Sequence, residues 1–188
     1  MVESAVETPR LFRRLLSIAL PMVVSQASET VMLFVDRLFL SQLSKAHLSS
    51  AMSGGLTAFT IGSLFAGIAG YANAMVAQYY GAGRRDECSR VVVQALYFAL
   101  FCFPLLVLTT RVVPSYFSLM GHSGPQLALE SEYASYLILG VIFLVLRNAL
   151  SGFFLGIGRT RVVMVSNVLA MFVNIPLNYL LIFGNLGF

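Results

Sequence analysis

Six polar side chains in long, mainly apolar stretches are the candidates for chemistry: Glu29, Asp36, Arg147, Asn167, Asn174 and Asn178. Glu29 and Asp36 are two helical turns apart, so with Ser25 and Met32 they share one helix face, the acids about 10 Å apart along the axis. Asn167, Asn174 and Asn178 follow at spacings of seven and four, again one face. Carboxylate and amide oxygens are ligands for a hard cation. Pro176 adds to them, because it has no N–H and leaves the carbonyl of Phe172 without its helical donor. A charge at the centre of a bilayer costs about 2.5 to 3.5 kcal/mol on insertion scales, so ionisable groups there are functional candidates by default. Simpler roles compete: Asp36 as an interfacial acid beside Arg37, Glu29 as an ion-pair partner of Arg147, and the asparagines as cross-helix hydrogen bonders.

No other chemistry competes with cation binding. His47 and His122 fall in predicted outer loops and lack Cys or acid partners at ligand spacing, so they predict no metal site. GAGRR has too few glycines, and no following Lys-Ser/Thr, to cradle a nucleotide phosphate. Cys88 lies in a basic loop and Cys102 in an apolar run, which predicts no disulfide. Neither catalytic residues nor a cofactor are expected, and the chain reads as no enzyme.

The elements that position these residues are membrane spans. The 188 residues are 58% hydrophobic and 11% charged, and the mean hydropathy is +0.84. An ordinary soluble domain is about half apolar and a quarter charged. The net charge of +4 lies in short loops rather than on a Lys/Arg face, which argues against a nucleic-acid partner. Five apolar runs are long enough to span as helices, about 15–40, 56–80, 91–113, 133–157 and 162–183, behind an N-terminal segment 1–14. Pro114, Gly121, Gly124 and Pro125 are expected to break the chain into its longest loop, with Glu130 and Glu132 at the next helix start. Gly62, Ala66, Gly67, Gly70, Gly152 and Gly156 are expected at close helix contacts. Arg10, Arg13, Arg14, Arg84, Arg85, Arg90, Arg159 and Arg161 fall on one side, against Arg37, Lys45 and Arg111 on the other. The N-terminus is therefore expected in the cytoplasm.

Five segments in order carry a family resemblance: IALPMVVSQ with Pro21, FVDRLFLSQL around Asp36, VAQYYGAGRRDE, LRNALSGFFLGIGRTR, and VNIPLNYLLIFGNLG. Together they resemble multidrug and toxic compound extrusion (MATE) transporters, especially the NorM-like branch. The resemblance implies an antiporter that exports organic, often cationic, compounds against sodium or protons, built of twelve spans in two six-span lobes. This chain would be most of the N-terminal lobe, truncated before a sixth span, in a multi-pass cell inner membrane protein. Its partners would be a small organic substrate, membrane lipid, and a C-terminal lobe or partner chain. The resemblance assigns cation coupling to Asp36, with Asn174 and Asn178 lining the same pocket. Glu29, Arg147 and Asn167 remain cavity-lining candidates. The family commonly has glutamine where this chain has Glu29, a small polar residue in place of Arg37 and, in one branch, aspartate in place of Asn178. Two alternatives are a lipid-linked oligosaccharide flippase, expected to carry more cavity arginines than Arg147, and a non-transporting membrane subunit.

Overall fold

The computed structural model describes residues 3–184, which form five helices and no strand: α1 (Glu3–Leu43), α2 (Lys45–Gly81), α3 (Arg85–Leu119), α4 (Gly124–Gly156) and α5 (Thr160–Ile182). Each contains a stretch long and apolar enough to cross a bilayer. The protein is an all-α multi-pass membrane protein. The 23 residues of α5 extend about 34 Å at 1.5 Å per residue, close to the hydrocarbon thickness. With 37 residues and about 55 Å, α2 must tilt or emerge from the hydrocarbon.

The loop expected around Pro114 is nearly absent. α3 runs through both Pro104 and Pro114 to Leu119, and α4 begins at Gly124 with Pro125 in its first turn. A proline inside a membrane helix loses one N–H, a loss that neighbouring groups make good, whereas at the first helical position no N–H is needed. Pro114 is therefore no stop, and only 120–123 connect the two helices.

The chain divides into two compact units, residues 1–39 with 158–188, and residues 40–157. In the second unit α4 packs against both α2 and α3. Its core is built from Ala58, Ala69, Leu106, Val113, Phe117, Ile138, Val141 and Val145. A smaller cluster around Val76, Cys88, Val91 and Ala149 lies toward the α2–α3 turn. Lipid supplies no hydrophobic drive between helices, so close backbone approach has to hold them. A Cβ on Gly62 would come within 3.0 Å of Val141, one on Gly152 within 3.2 Å of the Asn73 nitrogen, and one on Gly156 within 2.7 Å of Val76. Gly67 and Gly70 depart from expectation, since a Cβ there meets nothing within 4 Å. The Asn148 amide donates to the Ala66 carbonyl at 3.3 Å, tying α4 to α2. Cys88 and Cys102 are buried free thiols.

In the first unit α1 and α5 meet through polar side chains. Residues 25 and 29 contact 167, and residue 36 contacts 178. Numbers that rise together on both helices make the pair parallel, as the first and fifth spans of an alternating chain must be.

Candidate cation-binding site

Two polar rungs join α1 to α5. At the inner rung the Asn167 amide nitrogen donates to Ser25 Oγ at 2.5 Å and to Glu29 Oε1 at 2.9 Å. Asn167 and Ser25 are buried, and Glu29 is half-buried. Both hydrogens of that amide are thereby committed, which fixes the Glu29 carboxylate against α5. At the second rung, two turns further along α1, Asn178 Nδ2 donates to Asp36 Oδ1 at 2.9 Å and to Asn174 Oδ1 at 3.2 Å. The Asn178 amide thus turns its nitrogen to Asp36 and Asn174 and keeps its oxygen as an acceptor. The Asp36 carboxylate and the Asn174 amide oxygen so converge on the Asn178 nitrogen, anionic and neutral hard oxygens of the kind suited to sodium or, at the carboxylate, a proton. One turn beyond, Phe39 packs edge-on against Tyr179 and Phe183, with ring centroids 5.9 and 5.7 Å apart, so aromatic rings flank this rung.

The first unit brings together five of the six residues singled out in the sequence: Glu29, Asp36, Asn167, Asn174 and Asn178. Arg147 belongs to the second unit, on an exposed position of α4. Among the described residues no group of three or more His, Cys, Asp and Glu gathers as a metal site.

A further polar cluster in the second unit corrects the reading of two residues. Glu130, expected at a helix start, lies nearly two turns into α4 and is fully buried. Its Oε1 accepts from Ser53 Oγ at 2.8 Å and Gln126 Nε2 at 2.9 Å, and its Oε2 pairs with His122 Nδ1. His122, expected without an acid partner, has one, and its ring stacks on Phe117. The four-residue spacing of Gln126 and Glu130 was the visible sign of a shared helix face. The contribution of Ser53, 77 residues away, carried no local signal.

The helical arrangement is that of a known class of membrane transporter folds. A MOP superfamily transporter from Pyrococcus furiosus matches with a TM-score of 0.83 at 24% identity, over 93% of this chain and 39% of that one. The chain belongs to the MatE family, whose model matches residues 21–180. Among relatives, a probable multidrug resistance protein NorM of Bacillus cereus is 31% identical over 169 residues, covering 89% of this chain and 37% of the relative. A protein of the same description from Neisseria meningitidis serogroup B is 28% identical over 179 residues, covering 93% and 38%. The chain therefore spans less than two-fifths of the length of these relatives.

Proposed function

We propose that this chain is the part of a multidrug efflux antiporter that holds the coupling ion, with Asp36 as the ion-binding acid and Asn174 and Asn178 supplying neutral oxygens. The whole protein exports organic, often cationic, compounds against sodium or protons, with its N-terminus in the cytoplasm. The reading is carried by the hydrogen bond from Asn178 to Asp36, which joins the acid of α1 to the asparagine pair of α5. The multidrug resistance description of the NorM relatives supports the exported class. The loop arginines support the orientation. A cation entering at Asp36 displaces the Asn178 N–H from the carboxylate, and the amide can then turn its oxygen inward. Ion occupancy would so be felt by α5, whose Pro176 lies between the two asparagines.

The test uses the complete transporter in an efflux-deficient host. Asp36→Asn, at matched membrane expression, is expected to abolish resistance to cationic dyes. Undiminished resistance sinks the role of Asp36. Dye efflux from vesicles driven separately by a sodium gradient and a proton gradient identifies the ion.

A further inference from the structure

In the unit formed by residues 40–157, α4 packs against both α2 and α3, and these two meet each other less closely. The space left between them is a groove of about 330 Å³. The two helices run antiparallel across the short turn 82–84. Leu56, Thr57 and Thr60 of α2 and Thr109, Val112 and Tyr116 of α3 are among the residues that line the groove. From Thr109 to Tyr116 it follows α3 for about 10 Å, toward the end of the helix at the α3–α4 turn.

The threonines do not make this groove polar. Thr57, Thr60 and Thr109 each donate to the carbonyl four residues earlier on their own helix, at 3.0, 2.9 and 2.8 Å. Each hydroxyl has one hydrogen, so none is left to hold a ligand. Leu56 and Val112 are exposed, and among the described residues that line the groove none is charged. Both walls belong to helices that cross the bilayer, where the surrounding solvent is itself apolar and chain-shaped. The occupant such a groove takes there is an acyl chain.

Arg111 selects the headgroup. It stands on an exposed position beside Val112, about 100° round the helix from it, in the mainly apolar run FPLLVLTTRVV. α3 continues to Leu119, so Arg111 lies about 12 Å short of the helix end. An arginine at that depth reaches toward the interface and needs an anionic or carbonyl partner. None of the ion pairs among the described residues includes it. A guanidinium matches phosphate with two parallel N–H donors. With no acid in the groove lining, the ammonium of a zwitterionic headgroup finds no partner there, whereas an anionic headgroup needs none.

We propose that the α2–α3 groove holds one acyl chain of an anionic phospholipid whose phosphate is bound by Arg111, in the leaflet at the α3–α4 turn. The chain fills the gap that α2 and α3 leave beside α4, and the phosphate gives Arg111 its counter-charge. The inference does not depend on the coupling role of Asp36.

The experiment is photocrosslinking of the complete transporter in nanodiscs that contain phosphatidylglycerol or phosphatidylcholine with a diazirine midway along one acyl chain. Peptide mass spectrometry maps the adducts. Phosphatidylglycerol is expected to mark segments 56–61 and 109–116 about fivefold more than phosphatidylcholine does, the preference one basic residue near a membrane surface confers. Arg111→Gln should bring the two lipids to equal yield, and Arg111→Lys should keep part of the preference. Thr60→Phe, which fills the groove, should lower the yield of both lipids at these segments and leave adducts at the exposed Leu100 and Phe101 unchanged. Helical circular dichroism and monodisperse elution check each variant. A wild type that takes both lipids equally overturns the proposal, and so does an Arg111→Gln protein that keeps the preference. Groove segments marked no more than Leu100 and Phe101 overturn it too. So does their complete protection, which would mean that protein covers the groove.

Discussion

Replacing Glu130 by alanine removes a fully buried carboxylate from three donors. Hydrogen bonds to a charged group are worth about 1.5 to 3 kcal/mol each, so the three would sum to roughly 4.5 to 9. Not all of that is lost. Gln126 is exposed and can turn to water, and Ser53 Oγ already lies 3.2 and 3.4 Å from the Ser49 and Ser50 carbonyls. His122 loses its acid partner and a cavity is left where the side chain was, which brings the expected net cost to about 2 to 4 kcal/mol. At about 2 to 4 °C per kcal/mol for a chain of this size, the midpoint should fall by roughly 4 to 16 °C. Cys88 and Cys102 are buried free thiols, so the fluorescence of a thiol-reactive dye during a thermal ramp reports unfolding directly. Combining Glu130→Ala with His122→Ala should cost about 1 kcal/mol or more less than the sum of the two, because the partners share one bond. A midpoint within about 2 °C of wild type, or strict additivity in the double variant, refutes the claim that this network holds α4 to α2 and the α3–α4 turn.

Gly156→Ala drives a methyl group to within 2.7 Å of Val76 Cγ1 and 2.9 Å of the Asn73 carbonyl oxygen. It should destabilise by about 1 to 3 kcal/mol in the same thermal assay, and Val76→Ala should recover part of the loss. Asn167→Leu leaves Ser25 and Glu29 without the amide that joins them to α5. A loss of about 1 to 3 kcal/mol is expected, and Asn167→Gln should recover none of it if the rung depends on its present reach.

The all-helical architecture was legible because five apolar runs leave the backbone no alternative in lipid. The faces were legible too: residues seven and four apart fall on one side of a helix, and this gathered Glu29 with Asp36 and Asn174 with Asn178. Periodicity does not choose partners. That Glu29 meets Asn167, 138 residues away, is a property of helix pairing and has no local trace. Pro114 misled because a membrane helix can continue through a proline when neighbouring groups satisfy the carbonyl it frees. Glu130 misled because acids favour a helix entry, whereas here α4 starts six residues earlier and Ser53 of α2 holds the carboxylate inside the unit. Of the glycines, Gly62, Gly152 and Gly156 lie where helices touch, while Gly67 and Gly70 do not, a distinction made by helix rotation rather than spacing.

The parallel pairing of α1 with α5 also dictates an order of assembly. The bond between Ser25 and Asn167 joins residues 142 positions apart, so the partner of the first rung does not exist when α1 leaves the ribosome. At about 5 to 20 residues per second, roughly 7 to 28 s pass before Asn167 is made. During that interval Glu29 and Asp36 must be sheltered by the insertion machinery or by water. Of the two units, the one that carries the acids is thus the later to close, and its quality is decided by how long a half-made membrane protein can wait.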